Sequence, residues 1–398
     1  MLPVLLTTTD KDNYQAYLDE KVTRVFGMLK ETLQDSDDLR GYEDLCGLTP
    51  EVHASIPEHY RMRAEFSVFH HNDGTCDYAM YEPGSKPRKI ILIKDFPGCT
   101  VSINRAMAAL RELLPEYPLV KRKLFGADFL SNSHDDVVIS LNYHKKLDEA
   151  WQEEAQGLYT RLNEQGLSIS FVAHARKQAI VIGKDHVIET IPTTRGDIRL
   201  KQVEGTFSQP NATACSAMLN FALSCAQDGI DEAKAKGQKA RDLIELYCGS
   251  GTFTVTLAPL FQRVFATEVA RLPAETAVFN MQLNGVDNIS MARLSALEVT
   301  EALTHVRTFR RLQEKEINLD DFDFGTLLID PPRAGLNDEE ALKFTSSYDR
   351  VIYISCGPES LASDLKYLTR THRIARLAFF DQFPYTSHME SGVLLIRR

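Results

Sequence analysis

The sequence predicts an α/β protein in which an N-terminal α+β domain precedes a C-terminal doubly wound parallel sheet. The chain has 398 residues, which is enough for two domains that each bury a core. Short segments of alternating apolar and polar residues fill the region from about 60 to 193. From about 209 onward, apolar strands alternate with amphipathic helices. We therefore expect one domain at 1–205 and a second at 206–398.

The first domain is expected to begin with a helix after Asp10, because Tyr17, Val22, Val25 and Leu29 follow at helical spacing. An antiparallel sheet is predicted from the segments RAEFSVFHH, CDYAMYEP, KIILIKDF, DVVISLNYH, LSISFVAHA and QAIVIGKD. Two further helices are predicted from SINRAMAALRELL and LDEAWQEEAQGLYTRLNEQ.

The second domain is expected to form a parallel sheet whose strands include DLIELY, RVFAT, NISMA, TLLI and VIYIS. Its last two segments, IARLAFF and GVLLIRR, are close together along the chain. They are predicted to pair antiparallel at the edge of the sheet.

Composition excludes several classes of protein. Hydrophobic residues make up 43% and charged residues 25%, as in an average globular protein. No apolar stretch approaches the ~20 residues of a membrane span, and the N-terminus has no signal-peptide pattern, so we expect a cytoplasmic protein. Seven cysteines without a Cys-x-x-Cys pair disfavour a metal site, an iron-sulfur cluster or a disulfide framework.

Charge is distributed unevenly. The net charge of −10 weakly disfavours a nucleic-acid partner. An acidic protein can nevertheless present a local basic face. Basic residues cluster in the segments HYRMRAEF, VKRKLF, NYHKKL and HARKQ.

Candidate functional residues follow the predicted strands of the second domain, where an open α/β sheet binds its ligand. A glycine turn, CGSGTF, follows one strand, and Glu268 ends the next, 17 residues after Gly251. Asp330 and Cys356 end two more strands. Each has an ordinary structural explanation: a tight connection, a helix start, an N-cap or a buried apolar thiol. The turn lacks the third glycine of a dinucleotide fingerprint, so an adenosyl ligand without a pyrophosphate fits better.

Several longer motifs resemble those of S-adenosylmethionine-dependent uracil-5 RNA methyltransferases. The C-terminal motifs are FSQPN, ELYCGSG, DPPRAGL, YISCGPESL and DQFPYTSHMESGVLL. HYRMRAEF, KLFGADFL and LNYHKKLD resemble the tRNA (uracil-5-)-methyltransferase branch, which forms ribothymidine at position 54 of the T-loop. The resemblance implies a Rossmann-like class I methyltransferase domain and an N-terminal RNA-binding domain. It also implies S-adenosylmethionine as cofactor, with no metal or iron-sulfur cluster.

The resemblance also implies site residues. Cys356 is the expected nucleophile and Glu390 the proton acceptor. The expected cofactor contacts are Gln209, Tyr247, Gly249, Gly251, Thr252, Glu268 and Asp330. The expected RNA contacts are Phe125, His144, Arg61 and Arg63. Relatives commonly have Asn at the positions of Thr252 and Gly357, so polar contacts from those two side chains are in doubt.

The chemistry explains why these residue types are needed. Carbon 5 of uracil becomes nucleophilic only after a thiolate adds to carbon 6, and a base must later remove the carbon 5 proton. An amino-methyltransferase is disfavoured because Arg333, and no aromatic residue, follows Asp330-Pro331-Pro332. A cytosine-5 RNA methyltransferase typically uses a second cysteine to release its product. That class is disfavoured because Glu390 is in the position that matches the base of the uracil-5 enzymes.

Other functions remain open at this point. They are methylation of ribosomal RNA or of other RNAs with T-loop-like hairpins, and a role as a tRNA-binding folding helper. We expect a monomer whose partner is the T-arm of tRNA, and no membrane association.

Overall fold

The computed structural model describes residues 2–5, 7–82, 84–336 and 338–398. Its helices are α1 (Tyr14–Gln34), α2 (Arg40–Cys46), α3 (Val101–Leu113), α4 (Pro118–Lys121), α5 (Glu149–Glu164), α6 (Ala212–Ala235), α7 (Thr252–Leu257), α8 (Arg271–Leu283), α9 (Ala296–Leu303), α10 (Arg310–Gln313), α11 (Glu339–Thr345) and α12 (Pro358–Leu368).

The strands in the first half of the chain are β1 (Glu51–His53), β2 (Arg63–His70), β3 (Cys76–Tyr81), β4 (Ile90–Ile93), β5 (Leu124–Ser131), β6 (Asp136–Tyr143), β7 (Ser168–Ala175), β8 (Gln178–Ile182), β9 (His186–Thr193) and β10 (Gly196–Val203). Those in the second half are β11 (Asp242–Leu246), β12 (Val264–Thr267), β13 (Ile289–Ala292), β14 (Phe324–Ile329), β15 (Arg350–Ser355), β16 (His372–Phe380) and β17 (Glu390–Arg397).

The C-terminal half forms an eight-stranded sheet in the order β1-β16-β17-β15-β14-β11-β12-β13. Strands β11 to β15 are parallel, and β17 runs antiparallel to both of its neighbours, β15 and β16. Strands β11 and β15 are buried throughout because apolar helices cover both faces of the sheet. The predicted Rossmann-like fold is confirmed.

The N-terminal region forms a seven-stranded sheet in the order β4-β3-β2-β5-β6-β7-β8. Its core contains Phe129, Trp151 and Phe171. The prediction of a wholly antiparallel sheet is wrong at one pair, because β6 and β7 are parallel. Helix α5 connects them, and such a crossover returns the chain in its original direction. The segment KLFGADFL, for which no strand was predicted, forms most of β5.

The first helices pack on the C-terminal sheet. The apolar face of α1, with Leu18, Val25 and Leu29, belongs to the same core as α12. Strand β1 pairs in parallel with β16 and becomes the edge strand there. The predicted antiparallel pairing of β16 with β17 is confirmed. The prediction that this pair forms the edge of the sheet is wrong, because β1 lies outside β16. Residues 14–53, assigned from sequence to the domain 1–205, thus lie against the sheet of the domain 206–398, and the boundary at 205 stays a prediction.

In the part of the chain that the structure describes, each helix is too short or too polar to cross a bilayer.

Candidate active site

Three of the predicted cofactor residues lie side by side at the carboxyl edge of the C-terminal sheet. Tyr247, Glu268 and Asp330 each directly follow the last residue of β11, β12 and β14. Those last residues are register partners, with β11 in the middle. Parallel strands with matched ends therefore present a phenol and two carboxyl groups along the carboxyl edge of the sheet, as expected for a ligand site.

A cavity of about 770 Å³ opens at this edge. The predicted site residues that line it are Gln209, Tyr247, Gly249, Thr252, Glu268, Asp330, Cys356 and Glu390. Gly251 lies next to lining residues but is not one of them. The structure thus brings both predicted catalytic side chains and most predicted cofactor contacts into one space.

The glycine turn needs glycine at two positions for different reasons. Gly249 and Gly251 have φ values of 55° and 79°, in the left-handed region. A Cβ on Gly251 would lie 3.1 Å from the Cβ of Ala277, so this glycine allows α8 to pack closely. A Cβ on Gly249 would meet no atom within 4 Å. The backbone of Gly249 therefore borders open space, where a ligand can approach it.

Glu268 is held by backbone amides. Its carboxylate accepts hydrogen bonds from the N–H of Gly249 at 3.1 Å and of Ala270 at 2.7 Å. These bonds fix an acidic side chain beside the glycine turn, where it can accept hydrogen bonds from ribose hydroxyls. The turn, the carboxylates and the volume of the cavity fit an adenosyl cofactor such as S-adenosylmethionine.

The two predicted catalytic residues occupy facing positions. Ser355 of β15 pairs with Ser391 of the antiparallel strand β17. Continuing this register by one residue places Cys356 opposite Glu390. Facing residues of adjacent antiparallel strands project to the same side of the sheet, with Cα atoms about 4.5–5.5 Å apart. A thiol and a carboxyl group therefore enter the cavity side by side.

Burial is the largest cause of the pKa shifts of Cys356 and Glu390. It raises the pKa of the Cys356 thiol to about 11, and the nearby carboxylates Glu390 and Asp330 add to the rise. Burial likewise raises the pKa of Glu390 to about 8, with a further contribution from Asp330. Asp330 itself has a pKa raised to about 7 by burial. Arg333 acts in the opposite direction on both Cys356 and Glu390.

Arg333 is a site residue that sequence reasoning missed. It lines the cavity after the rigid Pro331-Pro332 turn, and its charge favours the ionised forms of Cys356 and Glu390. Its position in DPPRAGL, directly after Asp330-Pro331-Pro332, was the available signal. From sequence, the absence of an aromatic residue at this position served only to disfavour an amino-methyltransferase.

Gly357 allows the backbone of Arg333 to come close. The Ser360 hydroxyl contacts the carbonyl oxygens of Arg333 at 2.8 Å and of Gly357 at 2.9 Å. A Cβ on Gly357 would lie 2.5 Å from the Arg333 oxygen and 2.6 Å from the Ser360 hydroxyl oxygen. In this backbone arrangement, position 357 has no room for the asparagine common in relatives unless neighbouring groups move.

Three further lining residues were not predicted from sequence. Phe207 is 72% exposed although it borders the cavity. Gln382 and Phe383 line it from the connection between β16 and β17. The side-chain amide of Gln382 donates a hydrogen bond to the side-chain oxygen of Gln209. The signal for Gln382 and Phe383 was the motif DQFPYTSHMESGVLL, in which only Glu390 received a role, and the signal for Phe207 was FSQPN, in which only Gln209 received one.

The predicted RNA contacts lie at different places. The rings of Phe125 and His144 stack with centroids 3.9 Å apart and an angle of 12°, and Phe125 is 42% exposed. The Arg61 guanidinium lies 5.6 Å from the centroid of the Phe383 ring, at the cavity wall. Arg63 donates to the carbonyl of Thr206 at 2.6 Å. The structure thus brings Arg61 against a cavity-lining side chain.

Among the residues that the structure describes, no group of three or more His, Cys, Asp or Glu side chains is arranged to hold a metal ion.

This chain is similar to known proteins over nearly its whole length. Residues 14–398 match the family described as tRNA (Uracil-5-)-methyltransferase. The tRNA/tmRNA (uracil-C(5))-methyltransferase of Aeromonas hydrophila subsp. hydrophila is 41% identical over 97% of this chain and 95% of its own length. The chain belongs to the tRNA (uracil-5-)-methyltransferase family. The family predicted from the sequence motifs is therefore confirmed.

Other relatives agree with this membership. The protein of the same name from Ectopseudomonas mendocina is 42% identical over 98% of both chains. A solved structure, that of Pyrococcus abyssi tRNA (uracil-54, C5)-methyltransferase in complex with S-adenosyl-L-homocysteine, matches with a TM-score of 0.67 at 21% identity. The match covers 96% of this chain and 84% of the P. abyssi chain, and it supports the fold.

Proposed function

We propose that this protein methylates carbon 5 of the T-loop uridine at position 54 of tRNA through a covalent adduct between Cys356 and carbon 6. Membership of the family establishes the coarser activity, which is S-adenosylmethionine-dependent methylation of uracil in tRNA. The observation that carries the finer proposal is the register between β15 and β17, which sets Cys356 opposite Glu390.

The facing pair suits the two halves of the reaction. The Cys356 thiolate adds to carbon 6 of uracil, and the electrons of the carbon 5–carbon 6 double bond move to form an enolate. S-adenosylmethionine, when bound, would supply an electrophilic methyl group to carbon 5 of the enolate and would leave as S-adenosylhomocysteine. Glu390 then removes the proton from carbon 5, the double bond re-forms, and the thiolate leaves. Glu390 ends protonated, which its burial favours.

Arg333 and Asp330 set the charge around the sulfur. A buried thiol with its pKa raised to about 11 is a poor source of thiolate at neutral pH. The Arg333 guanidinium counteracts this effect and stabilises the sulfur as an anion. We assign Arg333 to activation of the nucleophile on this basis.

Cofactor contacts are assigned from the cavity. Glu268 is placed to accept hydrogen bonds from ribose hydroxyls, and the backbone of Gly249 allows the cofactor to approach closely. Tyr247 and Asp330 occupy the same level of the sheet. Thr252 offers a hydroxyl where relatives offer an amide, so it can replace one hydrogen bond and not both.

RNA recognition is assigned to the N-terminal sheet and the cavity rim. The Phe125–His144 stack offers an exposed aromatic face on which a loop base can stack. Arg61, beside Phe383, is placed near the rim, where a splayed-out uridine must enter. The relatives' names include tmRNA, so a T-loop-like hairpin of tmRNA is a second expected substrate. A cytoplasmic location and a monomeric state stay predictions.

The substrate assignment is tested with tRNA transcripts and S-adenosylmethionine carrying a deuterated methyl group. Nuclease digestion and mass spectrometry should locate the label at position 54, and a transcript with cytidine at that position should receive none. Label at another uridine, or in ribosomal RNA alone, would contradict the proposal. Transfer to no RNA, combined with tRNA annealing that Cys356→Ala leaves unchanged, would favour the folding-helper alternative.

The RNA surface is tested in the same system. Phe125→Ala should weaken tRNA binding about tenfold, since stacking on an aromatic ring contributes roughly 1–3 kcal/mol per base. Val306→Ala removes an exposed apolar side chain on another part of the surface and serves as the control. Equal affinities of the two variants would remove Phe125 from the RNA interface.

A further inference from the structure

We propose that Lys21 on the N-terminal helix α1 is a positioning residue for the substrate side of the cavity. It holds the connection between β16 and β17, residues 381–389, which we call the 381–389 turn. This turn carries Gln382 and Phe383 to the cavity and leads directly into Glu390. The inference deepens the proposed function and rests on it.

One ammonium group binds both ends of the turn. Lys21, whose side chain is 7% exposed, forms an ion pair with the fully buried carboxylate of Asp381. It also donates to the carbonyl oxygens of Phe383 and His388, each at 2.9 Å. An ammonium group has three donors, and here each meets an acceptor of the turn. The start, the middle and the end of the turn are therefore tied to one point on α1.

A second residue of α1 reinforces this contact. The Tyr14 hydroxyl donates to the Asp381 carboxylate at 2.8 Å and accepts from the backbone N–H of Ser55 at 2.8 Å. Both oxygens of the Asp381 carboxylate thus have a partner on α1. Burial lowers the pKa of Lys21, while the charge of Asp381 opposes that shift.

The turn contains a conformation that needs external support. Tyr385 has a φ of 63°, in the left-handed region that residues with bulky side chains rarely adopt. Its buried ring makes edge contacts with Tyr14 and Tyr17 of α1, with centroids 5.8 and 5.2 Å apart. Its hydroxyl donates to the carbonyl of Pro57 at 2.9 Å. Such a backbone conformation persists only where the surroundings determine it, and α1 supplies much of those surroundings.

The supported turn forms part of the cavity wall. Phe383 lies under the Arg61 guanidinium, and Gln382 donates to Gln209. The side chain of Asn211, in the same FSQPN motif as Gln209, donates to the carbonyl of Gln382 at 3.2 Å. A displacement of the turn would therefore move the wall between the predicted RNA surface and the catalytic pair. Lys21 acts on this wall without lining the cavity.

The test compares four variants. Lys21→Met removes the ammonium, and Lys21→Arg keeps a cation in its place. Lys21→Met combined with Asp381→Asn also removes the carboxylate charge, so that no unpaired ion stays buried if the single variant fails to fold. Lys30→Met is the matched control, because Lys30 is on the same helix with its ammonium 4.1 Å from the Phe26 ring.

Three measurements are made on each folded variant. Hydrogen exchange of the 381–389 backbone amides is followed in cofactor-free protein, which needs no activity. The rate of covalent adduct formation is followed with S-adenosylmethionine and a T-arm RNA that carries 5-fluorouridine at the target position. S-adenosylhomocysteine affinity, measured by calorimetry, reports on the cofactor side.

The expected outcome separates positioning from general stability. Lys21→Met and the double variant should exchange at least tenfold faster in the turn and form adduct at least tenfold more slowly. Their S-adenosylhomocysteine affinity should change less than threefold. Lys21→Arg should recover most of both properties, and Lys30→Met should match the parent. Parent-like exchange and adduct formation in folded Lys21→Met or in the double variant would overturn the inference.

The proposed function can fail separately. If the parent protein forms no adduct at all, the cysteine mechanism is wrong. The exchange data would then still show whether Lys21 holds the turn.

Discussion

Cys356 lies opposite Glu390 across the boundary between β15 and β17, the point at which the parallel part of the sheet meets its antiparallel strand. The pairing of Ser355 with Ser391 fixes this relationship. The proposed nucleophile and the proposed base, 34 residues apart in the sequence, therefore reach the same side of the sheet at adjacent positions.

Glu390→Gln should separate methyl transfer from product release. Glutamine keeps the size of the side chain and lacks the basic carboxylate, so the carbon 5 proton stays in place and the thiolate cannot leave. We expect a methylated RNA covalently attached to Cys356 to accumulate, detected by denaturing electrophoresis and intact mass. Release of free methylated RNA at the parent rate would remove Glu390 from the role of base. Cys356→Ala with the same RNA is the control for attachment.

Activity should rise with pH, because the thiol of Cys356 and the carboxyl of Glu390 both act in their ionised forms. Their pKa values are raised to about 11 and about 8, so the ionised fractions increase from pH 6 to pH 9. Arg333 lowers both pKa values. Arg333→Gln should therefore move the whole profile of single-turnover rate to higher pH, with the largest loss near pH 7. A profile that only falls in height, with no alkaline shift, would contradict the role given to Arg333.

Glu245 should make stability depend on pH. Burial raises its pKa to about 8, and its Oε2 atom makes no hydrogen bond within the described residues. Because the folded-state pKa lies above the unfolded value, this group's contribution to stability is full below about pH 4.5 and is lost as pH rises through 8. Glu245→Gln should stabilise the protein by roughly 2 kcal/mol at pH 9 and by little at pH 5.

Chemical denaturation at the two pH values measures this difference. Glu153→Gln, which makes the same substitution at an exposed position of α5, is the control. A parent-like pH dependence of the unfolding free energy in Glu245→Gln would show that this carboxyl is ionised in the folded protein.

The strand-end residues could be predicted from sequence for a physical reason. Tyr247, Glu268 and Asp330 each follow an apolar strand directly, and parallel strands bring their carboxyl ends to one edge. Cys356 was predicted as a strand-end residue in the same way, and the family motifs supplied its role as nucleophile together with Tyr247 and Glu390. Their facing positions could not be predicted, because the register of β17 is set by pairing with strands distant in sequence.

The parts that escaped prediction depend on long-range packing. Lys21, within the helical pattern of α1, has the appearance of a solvated lysine until Asp381 is brought beside it, 360 residues later. Strand β1 is only three residues long, too short for a pattern to indicate its pairing with β16. Strands β6 and β7 pair in parallel because helix α5 crosses over between them. The alternation of apolar and polar residues within each strand does not reveal the direction of its partner.

The central claim is that Cys356 attacks carbon 6 of the T-loop uridine. It is tested most directly by the intact mass of the protein after mixing with S-adenosylmethionine and a T-arm RNA that carries 5-fluorouridine at position 54. Fluorine at carbon 5 cannot be removed as a proton, so the reaction should stop at a complex whose mass equals protein plus RNA plus one methyl group, and Cys356→Ala should form none. Binding of this RNA without any covalent complex, or a complex that persists in Cys356→Ala, would contradict the mechanism.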